Sequence, residues 1–372
     1  MTGFKVTPWE VSGKVDYEKL IKEFGTKPLT NELIEKLVKK AGKDHLLLRR
    51  KLFFSHRDFD NILKWNESGK EFALYTGRGP SGTTHLGHLV PWIFTKYLQD
   101  AFDCELYFQL TDDEKFLYNK DLTLEETHKF AYENMLDIIA VGFNPKKTFI
   151  FSNLDYAKTL YKTAIKIAKK TTFSTVKAVF GFKNETNTGM IFFPAMQAVP
   201  CFLPSILKGK EIPTLIPAAI DQDPYWRGIA REVAGKLNYP KPAQIHCMFL
   251  PGLGEGGKMS ASQPNTAIFT TDDEKTVKKK VGSAFTGGKP TVEEQRKKGG
   301  NPDVCSVYKY YYYLFEDDDK KLMERFEACK SGKLLCGECK AQLAERVNKF
   351  LKKHQAEREK AKKNIDKFIL KD

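Results

Sequence analysis

The chain has 372 residues, 41% of them hydrophobic and 29% charged, an ordinary soluble composition with room for two or three domains and a sizeable core. Its seven cysteines, odd in number and scattered, exclude a disulfide framework. The net charge of +14 suits either a polyanionic partner or a merely solubilising surface.

The N-terminus carries no apolar leader and no Arg/Ser-rich transit character, so a cytoplasmic protein is expected. Residues 72–76 form an apolar run that reads as a strand and lead into the glycine-rich turn Gly79-Pro80-Ser81-Gly82-Thr83-Thr84. Leu86, Leu89, Val90, Ile93, Phe94, Tyr97 and Leu98 then follow at the spacing of an amphipathic helix. A strand is expected at 106–110, and a helix from the capping box Thr123-x-x-Glu126 to Gly142. Another strand is expected at 148–151. The uncharged run 191–207 contains Pro194, Gln197, Pro200 and Pro204 and is shorter than the roughly 20 apolar residues of a membrane span, so it reads as core or pocket wall and no membrane partner is expected. Further strands are expected at 214–220 and 245–250. Asp223-Pro224 reads as an N-cap followed by proline at the first helical position.

Short buried strands alternating with helices predict an α/β fold, a Rossmann-type parallel sheet covered on both faces, with ligands beyond the carboxyl ends of its strands. Tyr75, Gln109, Asp112, Glu114, Asp221 and Gln222 all fall at or just past such ends. A glycine-rich loop, 252–257, leads into Lys258-Met259-Ser260-Ala261-Ser262. Beyond it only helices are expected, at 272–280, 302–315, 319–330 and 339–370. The boundaries expected are a catalytic domain with an N-terminal extension over 1–262, an all-helical C-terminal domain over 263–355, and a final helix over 356–372. Residues 346–372 hold ten Lys and Arg against four Asp and Glu, a face for RNA or simply a solvated surface. Cys336-x-x-Cys339 with Cys329 nearby resembles half a zinc site, but no His or second Cys pair is close in sequence. Reduced structural thiols are the preferred reading.

The turn after the first strand can bring a phosphate to backbone N–H groups at the positive end of a helix. His85 and His88 project from one face of its first turn and can donate there. Lys258 and Ser260 supply a mobile cation and a hydroxyl. In this order the two stretches resemble the signatures of class I aminoacyl-tRNA synthetases. The resemblance extends from Val6 to about Phe368 and is closest to the tryptophanyl-tRNA synthetases of the eukaryotic cytosolic type. Its landmarks include residues 6–11 and 52–58, Gln109-Leu110-Thr111-Asp112-Asp113-Glu114-Lys115 and Phe193-Pro194-Ala195-Met196-Gln197-Ala198.

That resemblance implies activation of L-tryptophan by ATP and transfer to the 3′ end of tRNA(Trp). It implies ATP with Mg2+ carried by the nucleotide, no metal of the protein's own, no DNA, and a homodimer. It places Arg78, Gly79, Gly87, Asp221, Lys258, Met259, Ser260 and Ser262 at ATP, with His85, His88, Lys258 and Ser260 as the catalytic set. Tyr75 and Gln109 would meet the indole nitrogen; Glu114, Gln197 and Gln222 would take the amino and carboxylate ends. A tyrosine-specific relative is disfavoured, because proline occupies position 200 where that family's pattern carries an aspartate. A non-catalytic paralogue is disfavoured by the intact signatures.

Overall fold

The computed structural model describes residues 5–6, 11–12 and 15–372; Thr7, Pro8, Trp9 and Glu10 of the 6–11 landmark lie outside the described residues. Two short strands, β1 (Lys5–Val6) and β2 (Val11–Ser12), pair antiparallel. The main sheet takes β3 (Lys27–Pro28), β4 (Phe53–Arg57), β5 (Ala73–Arg78), β6 (Glu105–Leu110), β7 (Thr148–Ser152), β8 (Thr214–Ala219) and β9 (Ala243–Cys247) in the order β3-β4-β9-β8-β5-β6-β7.

The five strands from β5 to β9 run parallel, as alternating strands and helices require. Strict period-two alternation sends Leu74, Phe108, Ile150 and Leu215 to one core and Tyr75, Tyr107, Phe151 and Ile216 to the other. Helices pack on both faces, so each strand reads as an almost unbroken apolar run. Leu86–Phe102 and Leu124–Ala140 cover the first face, and Ala157–Lys169 and Thr188–Ala198 the second.

The two strands at one side of the sheet correct the all-parallel expectation: β4 runs antiparallel to β9, and β3 to β4. Their polar residues hid them from a hydrophobic pattern. Ser55 and His246 are both buried and meet at 3.0 Å, a pairing visible only once the strands are adjacent. Asp223 is also corrected. It caps nothing with its side chain; Arg57 Nε and Nη2 donate to its carboxylate at 3.0 and 3.1 Å. The chain there passes through a 3-10 turn, Ile220–Gln222, into a short helix with a wider π turn, Trp226–Ala230.

After residue 262 the described elements are helical: Glu274–Gly282, Val292–Lys298, Ser306–Tyr310, Asp319–Lys330 and Cys336–Lys362, with short 3-10 and π turns between. The last helix starts earlier than 339 because the Glu338 carboxylate accepts the Leu335 N–H at 3.1 Å, and it stops at Lys362 rather than 370. It lies on Leu124–Ala140, where His354 Nε2 is 2.9 Å from the buried Asp137 carboxylate and Arg358 bonds the same group. The chain then extends along the outer edge of β7: Ile150 N–H donates to Phe368 O at 2.7 Å, and Leu370 N–H to Ile150 O at 2.8 Å. Among the described residues no helix is long and apolar enough to cross a membrane.

Candidate active site

The carboxyl ends of β5, β6 and β8 open onto a cleft of about 640 Å3, within the range of small-molecule sites. Strand β5 delivers Arg78, and the turn after it leads to His85 at the N-cap of helix Leu86–Phe102. Two backbone hydrogen bonds pin that turn onto the 268–270 segment: Leu86 N–H donates to Ile268 O at 3.0 Å and Thr270 N–H to Thr84 O at 2.9 Å. Asn134 reaches across from helix Leu124–Ala140 and donates to Gly82 O at 3.0 Å while accepting from Arg78 Nε at 3.1 Å.

His85 and His88 stack with ring centroids 3.6 Å apart. Glycine at 87 permits this pose, since a β-carbon there would lie 3.0 Å from the His85 ring. Burial, with the Arg78 and Lys258 cations, holds His85 down at about 3 and His88 well below the ordinary histidine value. Both rings are therefore neutral donors at pH 7. The His85 backbone N–H donates to His88 Nδ1 at 3.1 Å, which leaves the His88 hydrogen on Nε2.

Opposite them, Lys258 Nζ makes an ion pair with Asp221 Oδ2 at 3.0 Å. The other Asp221 oxygen and Arg78 Nη2 are buried without a partner. Buried polar atoms left open cost free energy, so at a cleft they mark groups kept for a ligand. Ser260 and Ser262 hydroxyls bond each other at 2.8 Å. Burial lowers Arg78 to about 10, against the pull of Glu114 and Asp137.

Of the residues singled out from the sequence, Arg78, Gly79, His85, Gly87, His88, Glu114, Gln197, Asp221, Gln222, Lys258, Met259, Ser260 and Ser262 all line this one cleft. Asp112, singled out with them, does not: it is buried and accepts from Ser152 Oγ at 2.5 Å. Tyr75 and Gln109 do not either. They lie fully buried one layer behind its wall: Tyr75 OH donates to Gln109 Oε1 at 2.6 Å, Gln109 Nε2 to Asn153 at 2.8 Å, and Gln197 Nε2 to Tyr75 OH at 3.3 Å. Phe193, Tyr225 and Trp226 form an aromatic wall of the cleft, and Trp92 lies beside His88 with ring centroids 6.2 Å apart. Phe193 belongs to the 191–207 run read as core or pocket wall, whereas sequence reading gave no role to Tyr225, Trp226, Lys115, Asn134 or Asn153. Lys115 Nζ bonds Glu114 at 2.8 Å across the turn at Gly79. Its only sequence signal was its place next to Glu114.

Residues 67–352 match the family model described as tRNA synthetases class I (W and Y). Two archaeal tryptophan–tRNA ligases are similar over almost the whole chain. That of Pyrobaculum calidifontis is 54% identical over 99% of this chain and 98% of its own length. That of Thermococcus sibiricus is 56% identical, over 99% and 94%. The chain belongs to the tryptophanyl-tRNA synthetases.

Among solved structures, the tryptophanyl-tRNA synthetase of Plasmodium falciparum superposes with a TM-score of 0.86 at 43% identity, over 93% of this chain and 94% of that one. The tryptophan-bound enzyme of Encephalitozoon cuniculi gives 0.87 at 37%, over 96% and 98%. The eukaryotic-type qualifier is not supported, because the curated relatives at 53–56% identity are archaeal. As a tryptophanyl-tRNA synthetase the chain couples tryptophan, ATP and tRNA.

Proposed function

We propose that the cleft divides this ligase reaction between a cationic nucleotide end and an aromatic amino-acid end. The observation that carries this is the convergence of Arg78, His88, Lys258 and two open buried polar atoms, Arg78 Nη2 and Asp221 Oδ1, opposite the Phe193/Tyr225/Trp226 wall.

The tryptophan carboxylate, already ionised at pH 7, attacks the α-phosphorus of ATP. The bond to the bridging oxygen breaks, and pyrophosphate leaves with its electron pair. Catalysis is positioning plus neutralisation of charge that grows on the phosphate oxygens. His85 and His88 act as neutral donors and keep that role across the physiological pH range. Lys258 exchanges Asp221 for the departing pyrophosphate with Ser260 beside it, and Asp221 is freed to accept from the ribose. Arg78, held by Asn134, directs its open Nη2 at the nucleotide, with Gly79, Gly87, Met259 and Ser262 shaping the backbone around it. The wall here is cationic, which fits Mg2+ carried on the phosphates, where it supplies further charge neutralisation.

Glu114, Gln197 and Gln222 take the polar ends of tryptophan. Tyr75 and Gln109 bear on the indole nitrogen from behind, through Gln197 or after a side-chain rearrangement. In the second step the terminal tRNA hydroxyl attacks the activated carbonyl and AMP departs. The all-helical region 263–355 would hold the anticodon as a separate domain, with 1–262 as the catalytic domain and 356–372 packing back on it. A homodimer in the cytoplasm is proposed from the family resemblance.

ATP–pyrophosphate exchange with each standard amino acid tests the reading. Turnover with tryptophan and background with tyrosine are expected. Comparable turnover with tyrosine would overturn it.

A further inference from the structure

The last helix, Cys336–Lys362, reaches the glycine-rich turn of the catalytic cleft by two routes that leave from neighbouring residues. His354 and Arg358 bond Asp137 of helix Leu124–Ala140. One turn back on the same face of that helix, Asn134 donates to Gly82 O and accepts from Arg78 Nε. Gln355 takes the other route. Its Nε2 donates to Thr270 O at 2.9 Å and to Asp272 O at 3.0 Å. Thr270 donates in turn to Thr84 O, from its N–H at 2.9 Å and its Oγ1 at 3.2 Å.

The segment that carries the second route is stiff. Asp272 Oδ2 accepts the Phe269 N–H at 2.9 Å and the Lys280 ammonium at 2.7 Å, and Lys280 also bonds Ala267 O at 2.9 Å. Ala267, Ile268 and Thr270 are fully buried. Where Gln355 holds this segment therefore decides where residues 84–86 sit, because so little slack lies between. Residues 82, 84 and 86 are gripped by two separate elements, and both are anchored on one helix.

The groups engaged are telling. The two routes hold the turn by its main chain, at Gly82 O, Thr84 O and Leu86 N–H. They leave Arg78 Nη2 and His85 Nδ1 buried at the cleft without a partner. Donors that are to meet a phosphate must be aimed before charge develops on it, and a turn fixed by its backbone does that without using them up. Gln355 is also spent as an RNA contact: its amide points inward to two carbonyls, whereas Lys352 and Lys353 beside it are exposed.

We propose that Gln355 and Asn134 are positioning residues for adenylate formation, which fix the 82–86 turn and Arg78 so that their open groups meet the nucleotide. This rests on the reading of Arg78 and His85 as nucleotide contacts. The helix expected to face RNA then serves the first reaction as well, and its part in that reaction needs no tRNA.

The test is ATP–pyrophosphate exchange by the full-length protein without tRNA, with ATP and tryptophan varied separately. Gln355→Met keeps the length and helix propensity of the side chain and removes its amide. It should lower kcat/KM for ATP about tenfold or more, with the tryptophan KM within about twofold of wild type. A side chain that only stabilised the fold would lower the urea midpoint and leave this split unmoved. Asn134→Ala should show the same split, and should cost much less once Arg78→Lys has removed the guanidinium it holds. Wild-type kinetics in Gln355→Met beside a weakened Arg78→Lys would overturn the proposal and leave the reading of the cleft standing. Wild-type kinetics in Arg78→Lys as well would bring down both. An equal rise in the ATP and tryptophan KM values, or an equal cost of Asn134→Ala in the two backgrounds, would also overturn the positioning role.

Discussion

Lys258 and Asp221 face each other at 3.0 Å across the catalytic cleft, the lysine partly exposed and the aspartate buried. Each is held by the other in a position that the nucleotide would take over. The ion pair therefore acts as a placeholder: the cation is kept within the cleft and out of the solvent-wandering ensemble until phosphate arrives. Replacing Lys258 with Ala should lower the single-turnover rate of adenylate formation by about 2–4 kcal/mol of barrier, because its charge matters most as negative charge develops. Tryptophan affinity should change little. Rates within a few-fold of wild type would show that the lysine plays no part in the chemistry.

Burial of Gln109 changes what its removal should do. Gln109→Ala leaves Tyr75 OH and the Asn153 amide without their partners at 2.6 and 2.8 Å. The cost of about 1–3 kcal/mol should appear in urea unfolding as well as in the tryptophan KM. A raised KM with unchanged stability would mean that the side chain faces the ligand directly.

The two signature histidines set a pH signature. His85 is held at about 3 against a value of 6.5 for an unperturbed histidine. The unfolded chain therefore gains a proton below about 6.5 that the folded chain refuses. Stability from this group is complete above that pH and falls as the pH drops towards 3. Between pH 8 and 5 the ring resonances of His85 and His88 should not titrate. A histidine resonance from either that moves with a midpoint near 6.5 would contradict the neutral-donor assignment.

Asp137 ties the last helix to Leu124–Ala140, the same helix whose Asn134 steadies Arg78. Asp137→Ala leaves buried His354 without its carboxylate and Arg358 with only the more exposed Glu133 at 3.2 Å, and a loss of about 3–5 kcal/mol is expected in urea unfolding. A loss below 1 kcal/mol would show that the pair is solvated. With urea absent and the variant folded, ATP–pyrophosphate exchange should fall less than aminoacylation, because the first reaction is confined to the cleft.

Lys352, Lys353 and Lys363 are exposed on or just after the last helix. Changing all three to Ala should flatten the slope of log tRNA affinity against log salt and leave exchange unaffected, as lost phosphate contacts would. An unchanged slope would return them to a solvated surface.

Local chemistry made much of this chain legible from its residues. The β5 strand, the turn at Gly79, the His85/His88 pair and the Thr123/Glu126 capping box are short-range features, so sequence order alone exposes them. The Lys258 stretch was readable because its residue types and its place after a glycine-rich loop carry the signal together. Long-range partners were not legible. The antiparallel placement of Phe53–Arg57, the Arg57–Asp223 pair, Asn134 on Arg78 and the withdrawal of Tyr75 and Gln109 behind the wall each join residues at least 34 positions apart. Nothing in a local pattern selects one such partner over another; the packed sheet and helices do, by deciding which polar atoms are shut away from water together. The four cysteines show the same division: Cys336-x-x-Cys339 can be read along the chain, but only the fold brings Cys305 and Cys329 to the same small cavity.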